Sequence, residues 1–133
     1  MVIISIQHTG TRYLAKHRPH SWSGHVTTQN MAACRENLRA EPGLVPMRHP
    51  ALVYESWQRR VNSGDKPNID NLHKQFDNLI QLDREFDLEY VFVDETSWGE
   101  PVSTHGNAHT TITPAMLDRV PGKVMEFYIR IRK

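Results

Sequence analysis

Val2-Ile3-Ile4-Ser5-Ile6-Gln7, followed at once by His8-Thr9-Gly10-Thr11-Arg12, is a β-branched apolar run that breaks into a polar turn containing one glycine. Such a run bounded by a turn reads as a buried strand, and a helix is expected from Thr11. That helix should end by Arg18-Pro19, because the residue before proline is pushed out of the helical region. A strand-to-helix turn of this kind aims backbone N–H groups, here joined by the Thr9 and Thr11 hydroxyls, at a common point. It is a cradle for phosphate or sulfate. A Walker A loop needs two glycines and a Lys-Ser/Thr pair, so Gly10 alone with no lysine argues against an ordinary ATPase or GTPase loop. The competing reading is a simple turn glycine.

Further along, His25 to Thr28 reads as a short strand. Asn30 to Ala40 reads as a helix with Met31, Cys34 and Leu38 on one face, closed by Pro42-Gly43. Leu44 to Met47 is a second short apolar strand, and Arg48-His49-Pro50 leads into a helix reaching Asn62, with proline near its first position. Ser63 to Pro67 is a loop. Asp70 is placed to cap a long helix carrying Leu72, Phe76, Leu79, Ile80 and Phe86 at helical spacing. Leu88 to Val93 forms a third strand ending at Asp94, Thr96 to Thr113 a long polar loop, and Pro114 to Val120 a short helix. Met125, Phe127, Ile129 and Ile131 alternate with polar neighbours, which predicts a final edge strand with Arg130, Arg132 and Lys133 on its solvated side.

Strands alternating with helices predict a small three-layer α/β domain, residues 1–133, with a central, mainly parallel sheet. Ligands of such sheets bind beyond the carboxyl ends of the strands, where the chain carries His8 to Arg12, Arg48-His49 and Asp94. The bulk properties fit one soluble domain. The chain has 133 residues, 38% hydrophobic and 23% charged, with a net charge of +1, which removes any whole-chain electrostatic case for nucleic-acid or membrane binding. The single cysteine, Cys34, cannot form an internal disulfide and reads as a small buried hydrophobe. With no secretory h-region and no long apolar stretch, a cytoplasmic location is expected.

Ser56 follows Arg48 by eight residues and falls in the second turn of its helix, so a phosphate near that helix start could meet both. Here the chain resembles the sulfotransferases that use 3′-phosphoadenosine 5′-phosphosulfate (PAPS). His8-Thr9-Gly10-Thr11-Arg12-Tyr13-Leu14 is similar to the family's 5′-phosphosulfate loop, K-S-G-T-T-W-L or, in heparan-type enzymes, K-G-G-T-R-A-L. Val45 to Pro50 with Ser56, Trp57 and Arg59 is similar to its 3′-phosphate element, and Val91 to Asp94 to a later core strand. Gly106-Asn107-Ala108-His109 is similar, more loosely, to the heparan-type loop K-G-R-T-H-P. The likeness runs through most of the chain, which has about half the length of a usual member.

The resemblance implies a reduced P-loop-like sulfotransferase fold and PAPS as co-substrate, with transfer of its sulfuryl group to a hydroxyl or amine on a small molecule or glycan. It assigns Thr9, Gly10, Thr11, Arg12 and Tyr13 to the 5′-phosphosulfate, Arg48 and Ser56 to the 3′-phosphate, and Gly106, Asn107 and His109 to a further cofactor contact. The family's loop lysine is replaced by His8, so charge on the leaving group falls to His8 and Arg12. His25 stands where the family places its base, with His20 competing, while an ordinary surface histidine is the alternative. His105 and His109 are separated by Gly106-Asn107 and complete no zinc motif, so no metal is expected. The competing function is a non-catalytic PAPS or nucleotide binder. A homo-oligomer completing the acceptor site from a second subunit stays open.

Overall fold

The computed structural model describes residues 1–7, 23–92 and 112–132. Strands β1 (Val2–Ser5), β2 (Gly24–Thr27), β3 (Gly43–Met47) and β4 (Leu88–Phe92) form one four-stranded sheet in the order β2-β1-β3-β4. Every pairing is parallel, with Ile3 opposite both His25 and Leu44, and Met47 opposite Phe92. The described helices are α1 (Met31–Ala40), α2 (Pro50–Asn62), α3 (Asp70–Glu85), α4 (Pro114–Asp118) and α5 (Gly122–Ile131). The chain is therefore an α/β domain, as expected.

β1 and β3 are apolar without alternation because residues pointing to both faces are buried. Val2, Ile4, Ile6, Val45 and Met47 enter the main core with Cys34 and Leu38 of α1, Leu52 and Trp57 of α2, Phe76 and Leu79 of α3, and Phe127 of α5. The opposite face carries Ile3 and Leu44, both fully buried, which is consistent with a three-layer arrangement. Gly43 lets α1 close on the sheet, since a Cβ there would stand 2.5 Å from a Leu38 methyl and 3.0 Å from one of Leu88. Asn30 caps α1 by accepting a hydrogen bond from Ala33 N–H at 3.1 Å.

Two local expectations are corrected. Asp70 is the first helical residue of α3 rather than its cap, a position occupied by Ile69, and Asn68 instead accepts from Asn71 N–H at 3.3 Å. The expected final strand is helix α5. Its apolar residues satisfy both periods, and packing selects the helical one. Val124, Phe127 and Tyr128 are buried at three- and four-residue spacing, while Ile129, inward in the strand reading, is 53% exposed. Pro121-Gly122 starts that helix, and edge-on contacts of Phe127 with Tyr90 and of Tyr128 with Phe92 hold it against β4. Arg130 thus lies on a helix, bonded to Asp83 at 2.9 Å, and Arg132 bonds the Tyr128 hydroxyl.

Candidate functional site

The strand order fixes where a ligand crevice can open. From β1 the chain moves outward to β2, returns past β1 to β3, and continues to β4, so the direction of travel reverses beside β1. In open parallel sheets, such a reversal separates the connections at the carboxyl ends of two neighbouring strands and leaves a crevice there. Here those strands are β1 and β3, whose ends lead into Gln7 and Arg48.

Arg48 follows the last residue of β3 and is only 4% exposed. Its Nη2 atom is buried without a hydrogen bond, while the residue has other interactions. A guanidinium is always charged and presents a planar fork of donors that matches phosphate or carboxylate oxygens. His49 caps α2, its Nδ1 accepting from Ala51 N–H at 3.1 Å, and Pro50 opens the helix. Ser56 is also 4% exposed and sits in the second turn of that helix, so both residues are buried.

Gln7, at the end of β1, is held from several sides. Its N–H donates to Gln75 Oε1 at 3.0 Å, its carbonyl accepts from Trp57 Nε1 at 3.3 Å, and its Oε1 accepts from Lys66 Nζ at 3.1 Å. Gln75 is 1% exposed and donates onward to Asn71 Oδ1 at 2.7 Å. The same helix holds the end of β2, because Thr28 Oγ1 donates to Gln75 O and Asn78 Nδ2 donates to Thr28 O. This polar clasp escaped the sequence reading. Its one signal was a glutamine at position 75, three residues after Leu72 and one before Phe76, within the apolar stripe of α3.

His25 lies elsewhere on the sheet. Its Nε2 shares a hydrogen bond of 2.6 Å with the Oγ of fully buried Ser5, and desolvation lowers its pKa from the ordinary 6.5. Its register partner Ile3 also faces Leu44, four residues before Arg48, so two strand spacings and four rises separate the His25 and Arg48 backbones by about 16 Å. The structure does not bring these two residues together. The unfolded chain binds more protons than the folded one between the lowered value and about 6.5, so this group makes stability rise with pH through that window. Urea melts at about pH 5 and pH 8 should show that rise in the wild type and a shallower one in His25→Gln. An identical slope in the variant would contradict the assignment.

Cys34 is buried as expected, its thiol donating to Thr27 O and pushed by burial up to about 11, so it is not a nucleophile at neutral pH. Among the described residues, no group of three or more metal-ligating side chains occurs, and no helix is long and apolar enough to cross a membrane. A groove of about 450 Å³ between α3 and α5, lined by Asp77, Arg84, Lys123, Glu126, Phe127 and Arg130 among others, is crossed by a Lys123–Asp77 ion pair.

No family model, curated protein or solved structure matches this chain. The site is therefore carried by its own geometry. Of the residues expected from the sequence, Arg48, Ser56 and His25 are described. His8, Thr9, Gly10, Thr11, Arg12, Tyr13, His20, Gly106, Asn107 and His109 lie outside the described residues.

Proposed function

We propose that the crevice between the ends of β1 and β3 binds an adenosine nucleotide carrying 3′- and 5′-anionic groups, and that the chain is a PAPS-dependent sulfotransferase. The observation that carries the reading is the buried Arg48 at the end of β3, beside the point where the strand order reverses, with Ser56 buried on the helix that follows. A buried guanidinium and a buried hydroxyl fit a phosphate group, because each supplies charged or polar hydrogen bonds in a place of weak solvent competition. Arg48 and Ser56 would hold the 3′-phosphate. Thr9 to Tyr13, with Gly106, Asn107 and His109, would hold the 5′-phosphosulfate side, as the sequence resemblance implies.

PAPS supplies an activated sulfuryl group. An acceptor hydroxyl or amine forms the new bond to sulfur, the sulfur–oxygen bond to the 5′-phosphate breaks, and the acceptor proton passes to a base or to solvent. Adenosine 3′,5′-bisphosphate leaves. Cations near the leaving phosphate stabilise the developing charge, a role that falls to His8 and Arg12 in the absence of a loop lysine.

The second reading, a nucleotide binder without transfer activity, is favoured by that same histidine, and one pair of variants separates the two. At about pH 8 a histidine near its reference pKa of about 6.5 is mostly neutral, whereas lysine is charged. With radiolabelled PAPS and a pool of metabolites, polysaccharides and proteins as acceptors, His8→Lys should transfer at least as fast as the wild type. His8→Ala should lower turnover with little change in bisphosphate affinity, as for a group acting mainly in the transition state. Tight binding with no transfer by the wild type or by His8→Lys would select the binder.

A further inference from the structure

We infer that Lys66 is a binding contact for the 5′-side anionic group, a phosphate or sulfate, of the ligand at the end of β1. This rests on the nucleotide reading above for the identity of the ligand, and on the geometry of Lys66 for the contact itself. Lys66 belongs to the connection between α2 and α3, yet its ammonium reaches the end of a strand far from it in sequence, donating to Gln7 Oε1 at 3.1 Å. Gln7 is itself fixed through its N–H and carbonyl by Gln75 and Trp57. The ammonium thus meets an immobilised partner two residues beyond the end of β1.

The approach is built by the backbone. Gly64 has φ +86, a left-handed conformation that glycine adopts without strain, and its N–H donates to Val61 O at 3.2 Å. Two residues on, Lys66 N–H donates to Arg60 O at 3.1 Å, which ties the lysine to the end of α2. Its Nζ stands 5.0 Å from the centre of the Trp57 ring.

The partners of this half-buried cation are an amide oxygen and an aromatic face, both neutral. Among the described residues, no carboxylate lies within ion-pair distance of it, while Arg35, Arg119, Lys123 and Arg130 each have one. An ammonium has three donors, and one is directed at Gln7. A partly desolvated positive charge with donors to give, at the edge where the strand order reverses, is complementary to an anion. Arg48 follows β3, the parallel neighbour of β1, so on the nucleotide reading the two cations would address different ends of a ligand bearing two anionic groups.

The test is titration calorimetry of the wild type, Lys66→Met and Lys66→Arg with inorganic pyrophosphate and with adenosine 3′,5′-bisphosphate, each protein first checked by circular dichroism. Lys66→Gln replaces the methionine variant if that one is unstable. Loss of the ammonium should weaken binding of both probes about 10-fold or more, and arginine should restore most of it. Binding of pyrophosphate that depends on Lys66, with no binding of the bisphosphate, would uphold the contact and remove the nucleotide reading. Bisphosphate binding unchanged in Lys66→Met would overturn the contact and leave that reading standing. A wild type that binds neither probe overturns both.

Discussion

Trp57→Ala is expected to lower the unfolding free energy by about 3 to 5 kcal/mol, the usual cost of deleting a large buried aromatic side chain. Trp57 is 1% exposed, packs in the main core, and donates its indole N–H to Gln7 O, so truncation leaves a cavity and an unsatisfied carbonyl together. For a chain of this size, that corresponds to a melting temperature lower by about 10 to 18 °C. Trp57→Phe keeps most of the volume and loses the hydrogen bond, and should cost about 1 to 2 kcal/mol. Differential scanning calorimetry would read both. A fall below about 3 °C for the alanine variant would contradict the packing of α2 against the end of β1.

The elements that could be read from the sequence are those whose local pattern admits one solution. Val2 to Ile6 and Leu44 to Met47 are apolar on both faces, and only a strand in the middle of a sheet buries both. α2 and α3 have long helical stripes with a turn between them, and their boundaries agree with the expected ones to within a residue or two. The last segment was not legible, because Phe127 is inward in either period and only contact with Tyr90 and Phe92 decides between them. The site divides in the same way. Arg48 and Ser56 stand at a strand end and on the following helix, positions that spacing alone can fix. Gln75 and Lys66 act on Gln7 from 68 and 59 residues away, a proximity that arises only once α3 is laid across the ends of β1 and β2.

Arg48→Ala carries the largest expected effect on binding. A charge-assisted hydrogen bond to phosphate contributes about 1.5 to 3 kcal/mol, so affinity for adenosine 3′,5′-bisphosphate should fall about 10-fold to 150-fold. Affinity for 5′-AMP, which lacks the 3′-phosphate, should change little. Because Arg48 is buried, a stability check accompanies the measurement, and Ser56→Ala provides a second variant that removes a single hydroxyl. It should weaken bisphosphate binding by about 2-fold to 12-fold, with 5′-AMP again unaffected. Equal losses for the two nucleotides in both variants would place the 3′-phosphate elsewhere.

The most direct measurement needs no substitution. Titration calorimetry of the wild-type chain should show adenosine 3′,5′-bisphosphate binding at least about 10-fold tighter than 5′-AMP, the difference a single well-formed contact to the 3′-phosphate supplies. Equal affinity for the two, or binding of neither, would contradict a nucleotide site at the reversal between β1 and β3.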